Sequence, residues 1–233
     1  MKLIRLFGDS ILKGVVVSSQ TKSYKVDNNM GLSDLESRFG VSIMNSSRFG
    51  MTVTKGFEQI RRDLENSQEK PDLVCMDYGG NDADFYWSQI SEDPYKDHQS
   101  KTSPEEFVLC YSSILDYLEE RSIRPIIFSL PPIDSQRYFD WFTQRDIDKS
   151  SIMEFLHNDV QRIYRYQELF SRMAEDLAKR RGCVLVDIRS AFLQSMDLGS
   201  LLCVDGIHPN LQGQLIIGRC MKEAMEKSLK PVA

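Results

Sequence analysis

Leu3-Ile4-Arg5-Leu6-Phe7-Gly8-Asp9-Ser10 is an apolar run of strand length that ends in a glycine, a carboxylate and a serine. A short apolar run bounded by turn residues is how a strand buried on both faces reads, and such strands belong to parallel sheets. Four further runs repeat the pattern: Val41 to Met44, Asp72 to Tyr78, Pro125 to Leu130 and Cys183 to Val186. Each is about the length of a buried strand. Amphipathic stretches separate and follow them, near 31–39, 55–67, 104–121, 152–181 and 210–228. Strands alternating with helical patterns predict an α/β fold, a parallel sheet with helices on both faces.

Local signals sharpen the boundaries. Ser103-Pro104-Glu105-Glu106 puts a capping hydroxyl, a proline and two acids in the order that starts a helix. Gly182 before Cys183 reads as a helix-ending glycine leading into a strand. One segment exceeds the minimal alternation: residues 131–160 begin Pro131-Pro132 and carry Tyr138, Phe139, Trp141, Phe142 and Phe155. It falls at the carboxyl end of the fourth strand, where open α/β sheets place their ligand sites, so it is expected to line or cover a site or to pack as a loop and helix.

The bulk numbers bound the rest. At 233 residues, with 41% hydrophobic and 27% charged residues, the chain is expected to form one domain spanning 1–233. A net charge of -5 argues against a surface built for phosphate backbones, so nucleic acid is not an expected partner. The Lys179-Arg180-Arg181 run closes a helical stretch, where cations meet the negative end of the helix dipole. Five cysteines without CxxC spacing suit buried, reduced thiols and a cytoplasmic location, and no metal-ligand spacing is present. No stretch approaches the roughly 18 apolar residues needed to span a bilayer, and Met1 to Phe7 is too short and too charged for a signal peptide.

A serine at a strand's carboxyl end becomes a nucleophile only beside a base, itself oriented by a third group. The chain has 3 histidines. His98 lies in the polar loop Tyr95 to Ser100, and His157 follows Phe155-Leu156 in or beside a helical pattern. His208 differs, standing in Asp205-Gly206-Ile207-His208-Pro209-Asn210 just ahead of the last helix. A carboxylate three residues before an imidazole can fold back to accept the Nδ1 proton, leaving Nε2 for a serine hydroxyl. Gly206 permits that turn and Asn210 can cap the helix. Alone, the hexapeptide also reads as a turn carrying an incidental histidine.

Two more blocks fall at strand ends. Tyr78-Gly79-Gly80-Asn81-Asp82 closes the third strand, and an Asn81 amide held there can donate to a developing oxyanion. Asn45-Ser46-Ser47-Arg48-Phe49-Gly50-Met51-Thr52 follows the second, where Gly50 can offer a backbone N–H. With Ser10, they put donors and a nucleophile at three neighbouring strand ends, as acyl transfer requires.

These four blocks, in this order and over nearly the whole chain, resemble the Ser, Gly, Asn and His blocks of SGNH hydrolases, the GDSL esterase/lipase family. The resemblance implies a serine ester hydrolase with a flavodoxin-like three-layer α/β/α sandwich, a five-stranded parallel sheet, no metal and no cofactor. It makes Ser10 the nucleophile, His208 the general base and then acid, and Asp205 the residue orienting His208. The Ser10 N–H, the Gly50 N–H and the Asn81 side chain would form the oxyanion hole. Ile11 stands where many members have Leu, a volume-conserving change.

The implied substrate is a small-molecule ester. Asp82, Asp84, Phe85 and Trp87, with Tyr138 and Trp141 from the 131–160 segment, are the expected substrate rim. Carboxylates beside aromatic faces lean towards a small acyl group, such as acetyl, on a sugar. A lipase, a thioesterase or an acyltransferase would use the same three catalytic residues. A non-catalytic anion-binding α/β module would not need Asp205 and His208, and a phosphotransfer enzyme with Asp9 as nucleophile would want further acidic residues for Mg²⁺, which Asp9-Ser10-Ile11-Leu12 does not supply; Asp9 itself reads as structural.

Overall fold

The computed structural model describes residues 1–144 and 146–229. Arg145, inside the 131–160 segment, lies outside them. The strands are β1 (Lys2–Gly8), β2 (Val15–Val17), β3 (Tyr24–Val26), β4 (Val41–Asn45), β5 (Leu73–Asp77), β6 (Arg124–Phe128) and β7 (Val184–Val186). Five of them form one sheet in the order β4-β1-β5-β6-β7, every neighbouring pair parallel. These are the five apolar runs of the sequence, with ends moved by one or two residues. The runs at Asp72 to Tyr78 and Pro125 to Leu130 overshoot because Gly79-Gly80 and Pro131-Pro132 lead the chain off the sheet before its apolar character ends.

The helices are α1 (Ser10–Lys13), α2 (Leu32–Phe39), α3 (Val53–Glu65), α4 (Trp87–Glu92), α5 (Pro104–Glu120), α6 (Ser135–Phe142), α7 (Lys149–Phe155), α8 (Gln161–Arg180), α9 (Ile188–Leu193) and α10 (Leu211–Leu229). Strand side chains alternate between two cores. Val74, Met76 and Ile127 pack against Ile60 of α3, Phe107 of α5 and Phe170 of α8. Leu73, Cys75, Ile126 and Phe128 pack against Leu35 of α2, Phe192 of α9 and Ile217 of α10. Burial on both faces is what makes these strands continuous in apolar character. Each fully buried side chain of this size contributes roughly 1.5–3 kcal/mol. Arg5 is the buried polar residue of β1, and its guanidinium lies over the Phe7 ring at 4.8 Å and reaches Ser46 Oγ at 2.9 Å.

Capping follows the sequence signals. Ser103 Oγ accepts from Glu106 N at 3.1 Å, and Asn210 Oδ1 accepts from Gln212 N at 2.9 Å and Gly213 N at 3.2 Å. The amphipathic stretch near 152–181 is two helices, not one. His157 and Asn158 sit at φ of 52° and 57°, in the left-handed region, and turn the chain between α7 and α8. The antiparallel hairpin of β2 and β3 was not expected from the sequence. Within the 131–160 segment, α6 and α7 pack with α4 around Trp87, Ile90, Ile133, Phe139 and Ile152, a third core set apart from the two that flank the sheet. No described helix is long and apolar enough to cross a membrane, and all five cysteines are unpaired.

Candidate active site

Ser10 stands at the end of β1 as the first residue of α1, 7% exposed. Asp9 holds that turn: its Oδ1 accepts from Ile11 N at 2.7 Å and its Oδ2 from Asn81 Nδ2 at 2.9 Å. With both oxygens engaged and 3% exposure, Asp9 acts as a brace for the loop. Behind it lies Asp77, the last residue of β5, fully buried, with neither oxygen at full hydrogen-bond geometry. Burial and the neighbouring Asp9 charge push the Asp77 carboxyl well above the usual carboxylate range, and burial raises Asp9 as well. Like charges in a low dielectric disfavour joint ionisation, which favours a protonated Asp77 beside Asp9.

The Asp205–Asn210 hexapeptide folds as its composition suggests. Gly206 has φ of 75°, and a Cβ there would lie 2.6 Å from Asp134 O, so only glycine fits this turn. Asp205 Oδ1 accepts from Ile207 N at 3.3 Å and His208 N at 3.2 Å, and Cys203 N donates to His208 O at 2.7 Å. The loop is therefore fixed on both sides of the imidazole. His208 Nδ1 meets Asp205 Oδ2 at 2.5 Å, and Nε2 meets Ser10 Oγ at 2.9 Å. An ionised carboxylate only accepts, so the proton belongs on Nδ1 and the Nε2 lone pair faces the serine hydroxyl. Asp205 is fully buried and His208 is 2% exposed. His98 instead bonds Asp93 O at 2.6 Å, and His157 occupies the turn after α7.

Asn81 follows the Gly79-Gly80 turn, in which Gly79 has φ of 133° and a Cβ would meet Leu130 Cδ1 at 2.9 Å. Its side chain lies on the wall of a cavity beside Ser10. The block from Asn45 to Thr52 runs along the end of β1: Ser46 N donates to Leu6 O at 2.8 Å and Arg48 N to Gly8 O at 3.0 Å. Gly50 lies in a turn there at φ of 70°, but its neighbour Phe49 lines the cavity and Gly50 does not.

Asp82 is a correction. It is fully buried and points away from the cavity into the N-terminus of α3, where Val53 N donates to its Oδ1 at 2.9 Å and Thr102 Oγ1 donates at 2.6 Å. Burial raises its carboxyl to about 6, against the lowering effect of these hydrogen bonds. The unsatisfied N–H groups of a helix start provide a partner that solvent would otherwise supply. Asp82→Ala removes this cap and orphans the Thr102 hydroxyl, a loss of about 2–4 kcal/mol. The expected thermal shift is a fall of about 5–10 °C, and an unchanged melting temperature would show that the cap carries no stability.

The other rim residues do line the cavity, which has a volume of about 340 Å³. Asp84 Oδ1 accepts from Trp87 Nε1 and from Tyr138 OH, both at 2.8 Å, and its Oδ2 pairs with Lys101 Nζ at 2.7 Å. Burial and the Asp84 charge raise the Tyr138 phenol, which keeps it a donor. Trp141 Nε1 donates to Tyr24 OH at 3.0 Å. Trp87 stacks on Phe142 with centroids 4.4 Å apart, and Phe85 completes the aromatic wall.

Tyr24, Phe49, Lys101 and Gln167 also line the cavity and escaped the sequence reading. Tyr24 comes from the unexpected hairpin. Its ring meets the His208 imidazole edge-on at 5.5 Å, and Phe49 stacks against the same imidazole at 6.0 Å. Phe49 was within reach, because it adjoins Gly50 in a block already singled out. Lys101, in a polar loop, and Gln167, in mid-helix, carry no local signal.

Residues 6–216 match the model of the GDSL-like Lipase/Acylhydrolase family. No curated protein sequence matches the chain. Among solved structures, a lipase/acylhydrolase from Enterococcus faecalis aligns over 100% of both chains at 18% identity, with a TM-score of 0.68. An acetyl xylan esterase from Geobacillus stearothermophilus aligns over 96% of this chain and 94% of its own at 17% identity, with a TM-score of 0.67. A GDSL-like lipase from Bacteroides thetaiotaomicron aligns over 97% and 89% at 20% identity, with a TM-score of 0.62. At these identities the likeness is one of fold.

Proposed function

Because the chain belongs to the GDSL-like lipase/acylhydrolase family, we propose that it hydrolyses carboxylic esters with Ser10 as nucleophile, His208 as general base and then acid, and Asp205 orienting His208. The observation that carries this reading is the continuous line from Ser10 Oγ to His208 Nε2 at 2.9 Å and from His208 Nδ1 to Asp205 at 2.5 Å. Ser10 Oγ attacks the ester carbonyl as its proton passes to Nε2. The tetrahedral oxyanion is held by the Ser10 N–H and by Asn81, whose amide has a second N–H beyond the one on Asp9, while Gly50, off the cavity wall, is left out of the set the sequence suggested. Collapse of the intermediate breaks the ester C–O bond, and His208 returns its proton to the departing alkoxide. Water then attacks the acyl-enzyme by the same route, and Ser10 regains its proton.

The substrate meets the wall described above. A sugar reading needs carboxylates free to bind hydroxyls, and Asp82 and Asp84 are both engaged within the protein. This supports an ester whose acyl part is apolar. We read residues 1–233 as one catalytic domain, and the five unpaired thiols support a reducing, cytoplasmic setting. A fluorophosphonate probe tests the mechanism: covalent labelling is expected at Ser10, located by mass spectrometry of the peptide that carries it. An unlabelled protein would overturn the reading.

A further inference from the structure

We propose that the cavity beside Ser10 is an acyl pocket closed at its far end by Phe85, and that this ring sets the longest acyl chain the enzyme accepts. The proposal rests on the ester hydrolase reading above. Three observations carry it, concerning the chemistry of the wall, its volume and what lies behind it.

Away from Ser10, Asn81 and His208, the polar side chains on the wall are turned to partners in the protein. Trp87, Tyr138 and Lys101 converge on Asp84, and Trp141 donates to Tyr24. Gln167 Nε2 donates to Pro131 O at 2.9 Å, and its Oε1 accepts from Arg189 Nη2 at 2.5 Å. A hydroxyl-bearing group bound here would exchange water for unanswered hydrogen bonds, whereas an alkyl or aryl group loses nothing. The remaining surface is supplied by side chains such as Leu130, Ile133, Phe142 and Ile207.

A volume of about 340 Å³ lies at the lower end of the range for small-molecule sites, room for a medium-length acyl chain and not for a long one.

A second cavity, of about 680 Å³ and more open to solvent, lies behind the first. Phe85, Trp87 and Ile163 line both and are therefore the wall between them. Trp87 is fixed by its hydrogen bond to Asp84 and its stack on Phe142. Phe85 has no polar anchor and is held by ring contacts with Trp87 at 5.4 Å, and with Phe155 at 5.4 Å and Tyr166 at 5.1 Å, two residues that line only the second cavity. It is the plug whose removal joins the two spaces.

The test is kcat/KM on p-nitrophenyl esters from acetyl to palmitoyl, for the wild type, Phe85→Ala and Phe85→Leu. Each methylene that reaches the apolar wall raises kcat/KM by about fourfold, so wild-type values should climb from acetyl to hexanoyl or octanoyl and drop at dodecanoyl. Phe85→Ala should raise the dodecanoyl-to-hexanoyl ratio by about tenfold or more, with Phe85→Leu intermediate. Ile163→Ala, which opens the same wall from α8, covers the case of an alanine variant that does not fold. Ratios within about twofold of wild type in all folded variants, or a wild type that prefers acetyl, would overturn the proposal while leaving ester hydrolysis intact. A wild type inactive on every ester would instead remove the hydrolase reading beneath it.

Discussion

Ser10→Ala is expected to lower kcat on a short p-nitrophenyl ester by about 10⁶-fold, the scale on which serine hydrolases lose activity when the nucleophile is removed. The loss is chemical, because no other described serine stands against His208 Nε2. It should come with little change in stability. The Ser10 hydroxyl makes its hydrogen bond to a histidine facing a cavity that admits water, and the Asp205–His208 pair stays in place behind it. The turn itself depends on Asp9 accepting from Ile11 N, which the substitution leaves intact. The melting temperature should therefore move by no more than about 3 °C, and fluorophosphonate labelling should disappear. Full turnover by the folded variant would remove Ser10 from the mechanism.

The parts of this site legible in the sequence are those where a single local rule decides. The five sheet strands were readable because burial on both faces leaves few polar residues in them. Gly206 and Asn210 were readable because a tight turn and a helix cap each demand particular chemistry. Asp82 and Asp84 show where local rules stop. Two residues apart after one glycine turn, they share composition and neighbourhood, yet one caps α3 and the other gathers Trp87, Tyr138 and Lys101. Trp87 is close in sequence, but the start of α3, Thr102, Lys101 and Tyr138 arrive from elsewhere in the chain, and no window around position 82 contains them. The hairpin of β2 and β3 was hidden for another reason. Val15–Val17 follows Ile11 and Leu12 closely, so a three-residue strand merges into the apolar stretch before it. The cost of missing it was Tyr24, the ring that meets His208.

Asp205→Asn separates orientation from mere packing at the far end of the line. The substituted amide keeps one oxygen, enough to accept from Ile207 N and His208 N as Asp205 Oδ1 now does, so the loop should hold its shape. The other end becomes an NH₂ facing Nδ1, where a fully buried carboxylate stood at 2.5 Å. A donor there requires Nδ1 to accept, which moves the imidazole proton to Nε2 and points it at Ser10 Oγ. The histidine then cannot take the serine proton, and the imidazolium that forms during attack loses its counter-charge in a buried site. Both effects act on kcat, and the expected loss is about 10⁴-fold, with KM and the melting temperature close to wild type. Asp205→Ala would lose the loop bonds as well and lower the melting temperature, so the asparagine variant isolates the tautomer. A loss below about tenfold in folded Asp205→Asn would mean that Gly206 and the backbone bonds alone orient His208, and that the carboxylate serves the fold instead of the reaction.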